Sequence, residues 1–294
     1  MTDEIAAEVA AEALTWAADH PYIDTVRITP LAYLLTRAAP FETTPALSLQ
    51  TRTTLWIFAI DDLFDHPNAE LPDLQRFSAD CRGILTRDLP GSGPLSNCLT
   101  GLRHELAGYP LFAPLQHLWT SAITTLLRSM LDEATWREDL RRLGPSALPP
   151  LTRYLRSARH SIGAPAHMRT VLVTTPDPST PHHLPHLLRL ERHASLAVRL
   201  ANDLRTHERE ATEGNVNAVS ILTQTARAGD LSPAAALERA RSAVRREIKH
   251  HLQHCAELSQ NAVTATGDPE GLSRIRCGSS VWLTPCFLGC SAYT

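Results

Sequence analysis

The stretch HLLRLERHASLAVRLANDLRTHERE, residues 186–210, sets how the rest of the chain is read. Proline lacks an N–H donor and clashes with the preceding helical turn, and none occurs between residues 186 and 232. From just upstream, Leu184, Leu187, Leu188 and Leu190, then Leu196, Val198, Leu200 and Leu204, recur at steps of three and four, the period of a helix with one apolar face. Residues 46–66, 115–144 and 234–268 are further proline-free windows of the same kind. The spans 67–114 and 145–185 hold clusters such as DLPGSGP, LGPSALPP and TTPDPSTP, which predict loops or helix junctions. Ser232 before Pro233 predicts a helix start, with an N-cap oxygen and then a residue whose missing N–H costs nothing there. Period-two alternation is nearly absent, and VLVTT at 171–175 is the one modest strand candidate. With no internal repeat and no domain-splitting linker, the expectation is a single all-α domain over residues 1–294.

The bulk numbers agree. The 294 residues are 43% hydrophobic and 20% charged, a globular composition long enough to bury a large core. A net charge of −3 carries no basic excess and argues against nucleic acid as a partner. No apolar run is long enough for a membrane span, and the acidic, Ala-rich N-terminus MTDEIAAEVAAEALTW is unlike a signal peptide. A cytoplasmic location is therefore expected. Six cysteines (Cys81, Cys98, Cys255, Cys277, Cys286, Cys290) are scattered; Cys286 and Cys290 make a CxxxC pair, but neither has a nearby histidine at zinc-ligand spacing, and the six read as buried thiols. His250, His251 and His254 in KHHLQHC, residues 249–255, read as a solvated helix face.

Two polar segments interrupt the apolar pattern. FAIDDLFDHP places Asp61, Asp62 and Asp65 at the end of a helix that should be buried. Asp61 and Asp65 lie about 40° apart on that helix. Like charges so close repel, and they oppose the helix dipole unless water or a cation bridges them; oxygen ligands of this kind suit Mg2+ or Mn2+. The competing reading is a solvated acidic helix end before Pro67. In the second segment, NDLRTHERE, Asn202, Thr206 and Glu210 are spaced i, i+4, i+8 and spread over about 80° of one face. Amide, hydroxyl and carboxylate oxygens aligned this way form a second hard-metal site of low charge, and Arg209 adds a fixed cation for an anionic ligand. An ordinary hydrophilic helix face is the alternative. Two such oxygen clusters in one helical chain suit a bound diphosphate.

Together the segments resemble the class I terpene synthases, above all the compact bacterial ones. The DDxxD motif of that family is matched by Asp61, Asp62 and Asp65, and its N-D-x-x-(S/T)-x-x-x-E motif by Asn202, Asp203, Thr206 and Glu210, about 140 residues later. YLRSARHSIG adds a third likeness: Arg159 matches the diphosphate-sensing arginine, and Gly163 the helix-break glycine whose carbonyl helps trigger ionisation, with Arg156 the competing arginine. One departure is the C-terminus, WLTPCFLGCSAYT, where Ala292 precedes Tyr293 in place of the usual Arg-Tyr pair.

The resemblance implies a helical bundle around a central apolar cavity and a terpene synthase or cyclase activity on a prenyl diphosphate. Three Mg2+ ions would be held by the aspartate motif and by Asn202, Thr206 and Glu210, with Arg159 and Arg209 binding the diphosphate. Trp56, Phe58, Phe64, Trp119 and Trp282 are candidate cavity aromatics able to stabilise a carbocation, with core packing as their alternative role. The low aromatic content, 5%, and the unusual C-terminus favour a C20 or labdane-type diphosphate and a short cation route. The alternatives are a farnesyl diphosphate cyclase, a chain-elongating prenyl synthase and a non-catalytic isoprenoid-binding protein. A homodimer stays open.

Overall fold

The structure, a computed structural model, describes residues 2–229 and 231–266, with side chains to Gln260. Eleven α-helices and two short 3-10 turns make up the described chain, with no strand among the described residues. In order they are α1 (Thr2–Ala17), α2 (Ile28–Ala38), α3 (Thr44–Asp65), α4 (Leu71–Arg87), α5 (Pro94–Leu106) and α6 (Phe112–Leu143). There follow α7 (Leu151–Ser161), α8 (Ala164–Thr174), α9 (Thr180–Glu213), α10 (Ala218–Arg227) and α11 (Pro233–Thr266).

The proline-free windows fall on α3, α6, α9 with α10, and α11, as the periodicity predicts. The proline clusters mark helix starts more than loops. Prolines occupy the first two positions of α3, α4, α5, α8 and α9, where the missing N–H would have had no partner. At the Ser232 start, the Ala235 amide donates to the serine hydroxyl at 3.3 Å and the Ala236 amide to its carbonyl at 2.9 Å. Two expectations need correction. VLVTT belongs to α8 and its C-cap, because one turn of mostly β-branched residues, with Val173, Thr174 and Thr175 buried, packs as well on a helix as on a sheet. And α9 tolerates Pro185 inside it, close enough to its start to disturb a single turn.

Helix α3 is the axis. Almost every residue from Ala46 to Ile60 is buried, and Thr51, Thr53 and Thr54 satisfy their hydroxyls on carbonyls one turn back at 2.8, 2.8 and 2.9 Å. One apolar cluster joins α3, α4, α5, α6 and α8, including Trp56, Ile60, Leu99, Trp119 and Leu126. A second joins α6, α7, α9, α10 and α11 around Trp136, Tyr154, Leu200 and Val219. Helix α6 belongs to both. The C-terminal end of α3 therefore arrives where these two clusters meet across α6, and that is where the polar residues collect.

Gly163 breaks the chain between α7 and α8 with φ +79°, a backbone region that disfavours a Cβ. Its neighbour explains the rest of the requirement: a Cβ there would stand 2.6 Å from Cγ2 of Ile57 on α3. The break is thus pressed against α3 one helical turn before Asp61.

Candidate active site

The first motif closes α3, whose C-cap, His66, is extended and is followed by Pro67. Its three aspartates meet different fates. Asp62 pairs with Arg27 at 3.0 Å, and Arg27 in turn lies over the Phe58 ring, 5.6 Å from its centroid. Asp65 accepts from Arg137 at 2.9 Å. Asp61 is exposed to solvent, yet protein and charge crowd it. Desolvation, and then the charges of Asp65, Glu133 and Asp62, lift its carboxyl well above the usual carboxylate range against the pull of Arg199.

The second motif is more enclosed. Thr206 and Glu210 are buried and Asn202 is half-buried on α9. The Thr206 hydroxyl lies 2.7 Å from Glu210 Oε1 and 2.8 Å from the Asn202 carbonyl, while Asn217 donates to Glu210 Oε2 at 2.7 Å. Asp203 is completely buried and takes another role. It accepts from the Tyr154 hydroxyl at 2.9 and 3.0 Å and from the Ala218 amide at 3.0 Å, and it pairs with Arg199 at 2.8 Å. Burial raises its pKa to about 6, with Arg199 opposing and Glu210 assisting.

Two arginines that the motifs did not single out tie these walls together. Arg137 of α6, 8% exposed, donates to Asp65, to the Phe64 carbonyl and, at 3.0 Å, to Asn215 Oδ1. The Asn215 amide donates to the Glu210 carbonyl at 2.8 Å, so a single guanidinium spans from the end of the first motif to the end of the second. Arg199 of α9 hydrogen-bonds Tyr154, pairs with Asp203 and reaches Glu133 of α6 at 3.5 Å. Burial works against the Arg199 charge, but Asp203 and Glu133 outweigh it and hold the guanidinium firmly protonated. Glu133 accepts from the Ser161 hydroxyl at 2.5 Å, and burial lifts it to about 7 although Arg199 and Ser161 pull it down. Ser161 stands two residues before the Gly163 break, so this network runs from the break through α6 to the second motif.

The remaining predicted residues are dispersed. Arg159 is half-buried, and desolvation lowers its pKa, with Arg192 and Arg169 lowering it further and Glu191 opposing. The charges it meets are therefore those of upper α9 and α8. Arg156 is exposed. Arg209 is exposed too, 3.6 Å from Glu213 on its own helix. Trp56, Phe64 and Trp119 are 0%, 3% and 1% exposed. Trp56 donates to the Leu95 carbonyl at 2.8 Å, Trp119 to Thr170 at 3.1 Å, and Phe64 packs edge-on against Phe77. Their rings are covered by protein, so in this structure they pack the core and present no face to open space. Phe58 alone of the described four is half-buried; Trp282 lies outside the described residues, as do Cys277, Cys286, Cys290 and the Ala292-Tyr293 end. Cys81, Cys98 and Cys255 are free and buried. Among the described residues no helix is long and apolar enough to cross a membrane.

Among the described residues, no three His, Cys, Asp or Glu side chains already surround one metal position. Asp62 and Asp65 are turned toward arginines, and the second motif draws on amide and hydroxyl oxygens.

Residues 52–250 match the sequence profile of terpene synthase family 2, C-terminal metal binding, which is more than half of the chain. The chain belongs to this family. Its all-α architecture is shared with solved terpene synthases. The structure of 2-methylisoborneol synthase from Streptomyces coelicolor A3(2) superposes with a TM-score of 0.74 at 16% identity, over 98% of this chain and 91% of that one. A linalool/nerolidol synthase from Streptomyces clavuligerus gives a TM-score of 0.71 at 17% identity, over 98% and 94%. These likenesses carry the fold alone. Among curated proteins, dolabradiene synthase of Zea mays is 27% identical over 246 residues, 77% of this chain, and this chain spans only 27% of that relative's length.

The sequence reading missed Glu133, Arg137, Arg199 and Tyr154. A usable signal existed: Glu133 and Arg137 stand at i, i+4 on α6, and Arg199 stands four residues before Asp203. Buried charges at such spacing need partners.

Proposed function

We propose that the chain is a class I terpene synthase that ionises a prenyl diphosphate at the junction of α3, α6 and α9, then cyclises the cation or eliminates a proton. The observation that carries this reading is Arg137, which links Asp65 to Asn215 and so draws together two oxygen-rich motifs from distant parts of the sequence. Supporting it, a solved neighbour was crystallised with Mg2+ and geranyl-S-thiolodiphosphate, and another with 2-fluorogeranyl diphosphate.

The donor set suits a hard divalent cation. Asp61 offers a solvent-facing carboxylate that three neighbouring carboxylates make uncomfortable, and Asn202, Thr206 and Glu210 supply three further oxygens of different charge. Mg2+ would be held by Asp61 with Asp65 on α3, and by Asn202, Thr206 and Glu210 on α9, three ions in all. When bound, it supplies the positive charge that neutralises the departing diphosphate. The protein's own part is to orient and to keep dry. Asn217 fixes the Glu210 carboxylate, Arg137 holds Asp65, and Asp203 anchors the start of α10 through the Ala218 amide. Arg159 and Arg209 are the proposed diphosphate contacts, and the Gly163 carbonyl, held at the α7–α8 break beside Ile57, is the proposed trigger of ionisation.

Among prenyl diphosphates we favour a C20 or labdane-type substrate, on the 5% aromatic content that leaves few π faces to steer a long cascade. Farnesyl diphosphate is the alternative. The test offers farnesyl, geranylgeranyl and bicyclic labdane-type diphosphates side by side with Mg2+ and analyses the hydrocarbons by mass. Diphosphate release from at least one, lost in Asp61→Asn and Asn202→Ala, is expected. No release from any substrate, or chain-lengthened diphosphates once isopentenyl diphosphate is added, refutes the reading; conversion of the C15 substrate alone refutes the C20 preference.

A further inference from the structure

The arginine that meets the first motif from the N-terminal side has no part in the function proposed above. Arg27 ends the 3-10 turn Thr25–Arg27, which Asp24 caps by accepting from the Val26 amide at 3.1 Å, and it leads straight into α2. Just beyond it Ile28 and Leu31, both fully buried, pack in one apolar cluster with Leu55 and Ala59 of α3, so the turn is seated on the last turns of that helix. Phe58 and Asp62 stand at i, i+4 on α3 and share a face. Arg27 covers both. Its guanidinium carbon lies 5.6 Å from the Phe58 ring centroid, Nη2 donates to Asp62 Oδ1 at 3.0 Å, and Nε pairs with Asp24 Oδ2 at 3.1 Å.

The two arginines on this motif differ in what they have left to give. A guanidinium carries five N–H donors. Arg137 commits both of its terminal nitrogens, Nη1 to Asp65 and Asn215 and Nη2 to the Phe64 carbonyl, with its side chain 10% exposed. The Arg27 side chain is 24% exposed, and its Nη1 makes no hydrogen bond among the described residues. Two carboxylates and an aromatic face hold Arg27 in place while a pair of donors stays available. Its anchor Asp62 follows Asp61 directly, with Cα atoms about 3.8 Å apart. Arg159 and Arg209, by contrast, have neighbours elsewhere: Arg209 reaches Glu213 on its own helix, and Arg159 feels the charges of Arg192, Glu191 and Arg169.

We propose that Arg27 is a further diphosphate-binding residue, one that keeps Asp62 as its anchor and donates from Nη1 to an anion held beside Asp61. The inference rests on the class I reading above. Planar, fixed donors suit phosphate oxygens. The same charge repels a divalent cation that arrives without its anion, so Arg27 opposes Mg2+ alone and favours Mg2+ with diphosphate.

The test titrates inorganic diphosphate into the full chain calorimetrically at fixed excess Mg2+, and Mg2+ separately without diphosphate. Arg27→Gln is expected to weaken diphosphate binding by roughly tenfold or more, the loss of one charge-assisted hydrogen bond, and to strengthen the binding of Mg2+ alone. Arg27→Lys, which keeps the charge and loses the fork, should fall between Arg27→Gln and the wild type. An arginine with a purely structural role would instead weaken both ligands together. Undiminished diphosphate affinity in Arg27→Gln, or parallel losses of both ligands, overturns the proposal. Failure of the class I reading looks different, and Arg27 falls with it: the wild type then binds no diphosphate with Mg2+, or Asp61→Asn binds it as tightly as the wild type.

Discussion

Replacing Arg199 with methionine isolates what the buried charge network contributes. Arg199 and Asp203 are 8% and 0% exposed, 2.8 Å apart, and Glu133 lies 3.5 Å from the same guanidinium. Removing one partner of such a pair ordinarily costs 3–5 kcal/mol, about the Coulomb energy of unit charges 4 Å apart at an effective dielectric of about 20. Protonation limits the loss. Asp203, already near 6, can be neutralised at pH 7 for about 1.4 kcal/mol, and Glu133, near 7, for almost nothing. Hydrogen bonds from Arg199 to Tyr154 and Ser161 are lost besides, at about 1 kcal/mol each. The expected penalty at pH 7 is about 3 kcal/mol. Its pH dependence is the sharper test. At pH 5 both carboxyls are largely protonated in the wild type, so Arg199 has less to neutralise and the gap should narrow; at pH 8.5 both are charged and it should widen. Equilibrium urea denaturation of both proteins at three pH values reads this directly. A penalty under about 1 kcal/mol, or one constant with pH, refutes the assigned network.

Two further predictions rest on the same geometry. Gly163→Ala places a Cβ 2.6 Å from Ile57 Cγ2 at φ +79°, so left-handed strain and overpacking together should cost about 3 kcal/mol in urea denaturation; a loss near zero would mean the break is not as described. In metal-free protein, stability should fall as pH rises from 4.5 through 7. Over that range folded Glu133 keeps a proton that the unfolded chain has released, for a total of at most about 3 kcal/mol, and buried Asp203 acts in the same direction. Glu133→Gln should flatten the profile, and an unchanged slope in that variant would assign the effect elsewhere.

Much of this was legible in residues 44–65 and 186–210 because helices announce themselves locally. Period, proline placement and capping act within a few residues, so α3, α6, α9 and α11 could be read from the string, and so could the spacing of Asp61 with Asp65 and of Asn202, Thr206 and Glu210. Family likeness between the two motifs was equally a matter of spacing. VLVTT failed for the same reason it was ambiguous: so short an apolar run has no diagnostic period.

The sequence by itself determined an all-α chain with two oxygen-rich helix faces, because those depend on neighbours within one or two turns. Only the tertiary structure decided that Arg137 and Arg199 join those faces through α6, that Asp203 anchors α10, that Trp56, Phe64 and Trp119 are sealed into the core, and that His193 meets the histidines of α11. Each of these depends on which helices lie side by side, and partners separated by tens of residues leave no periodic trace in the chain. Buried charge is where that distinction is sharpest. An arginine in a helix looks the same in sequence whether it points to water or to a carboxylate, and the energy that separates the two cases arises only when the surrounding helices exclude the solvent.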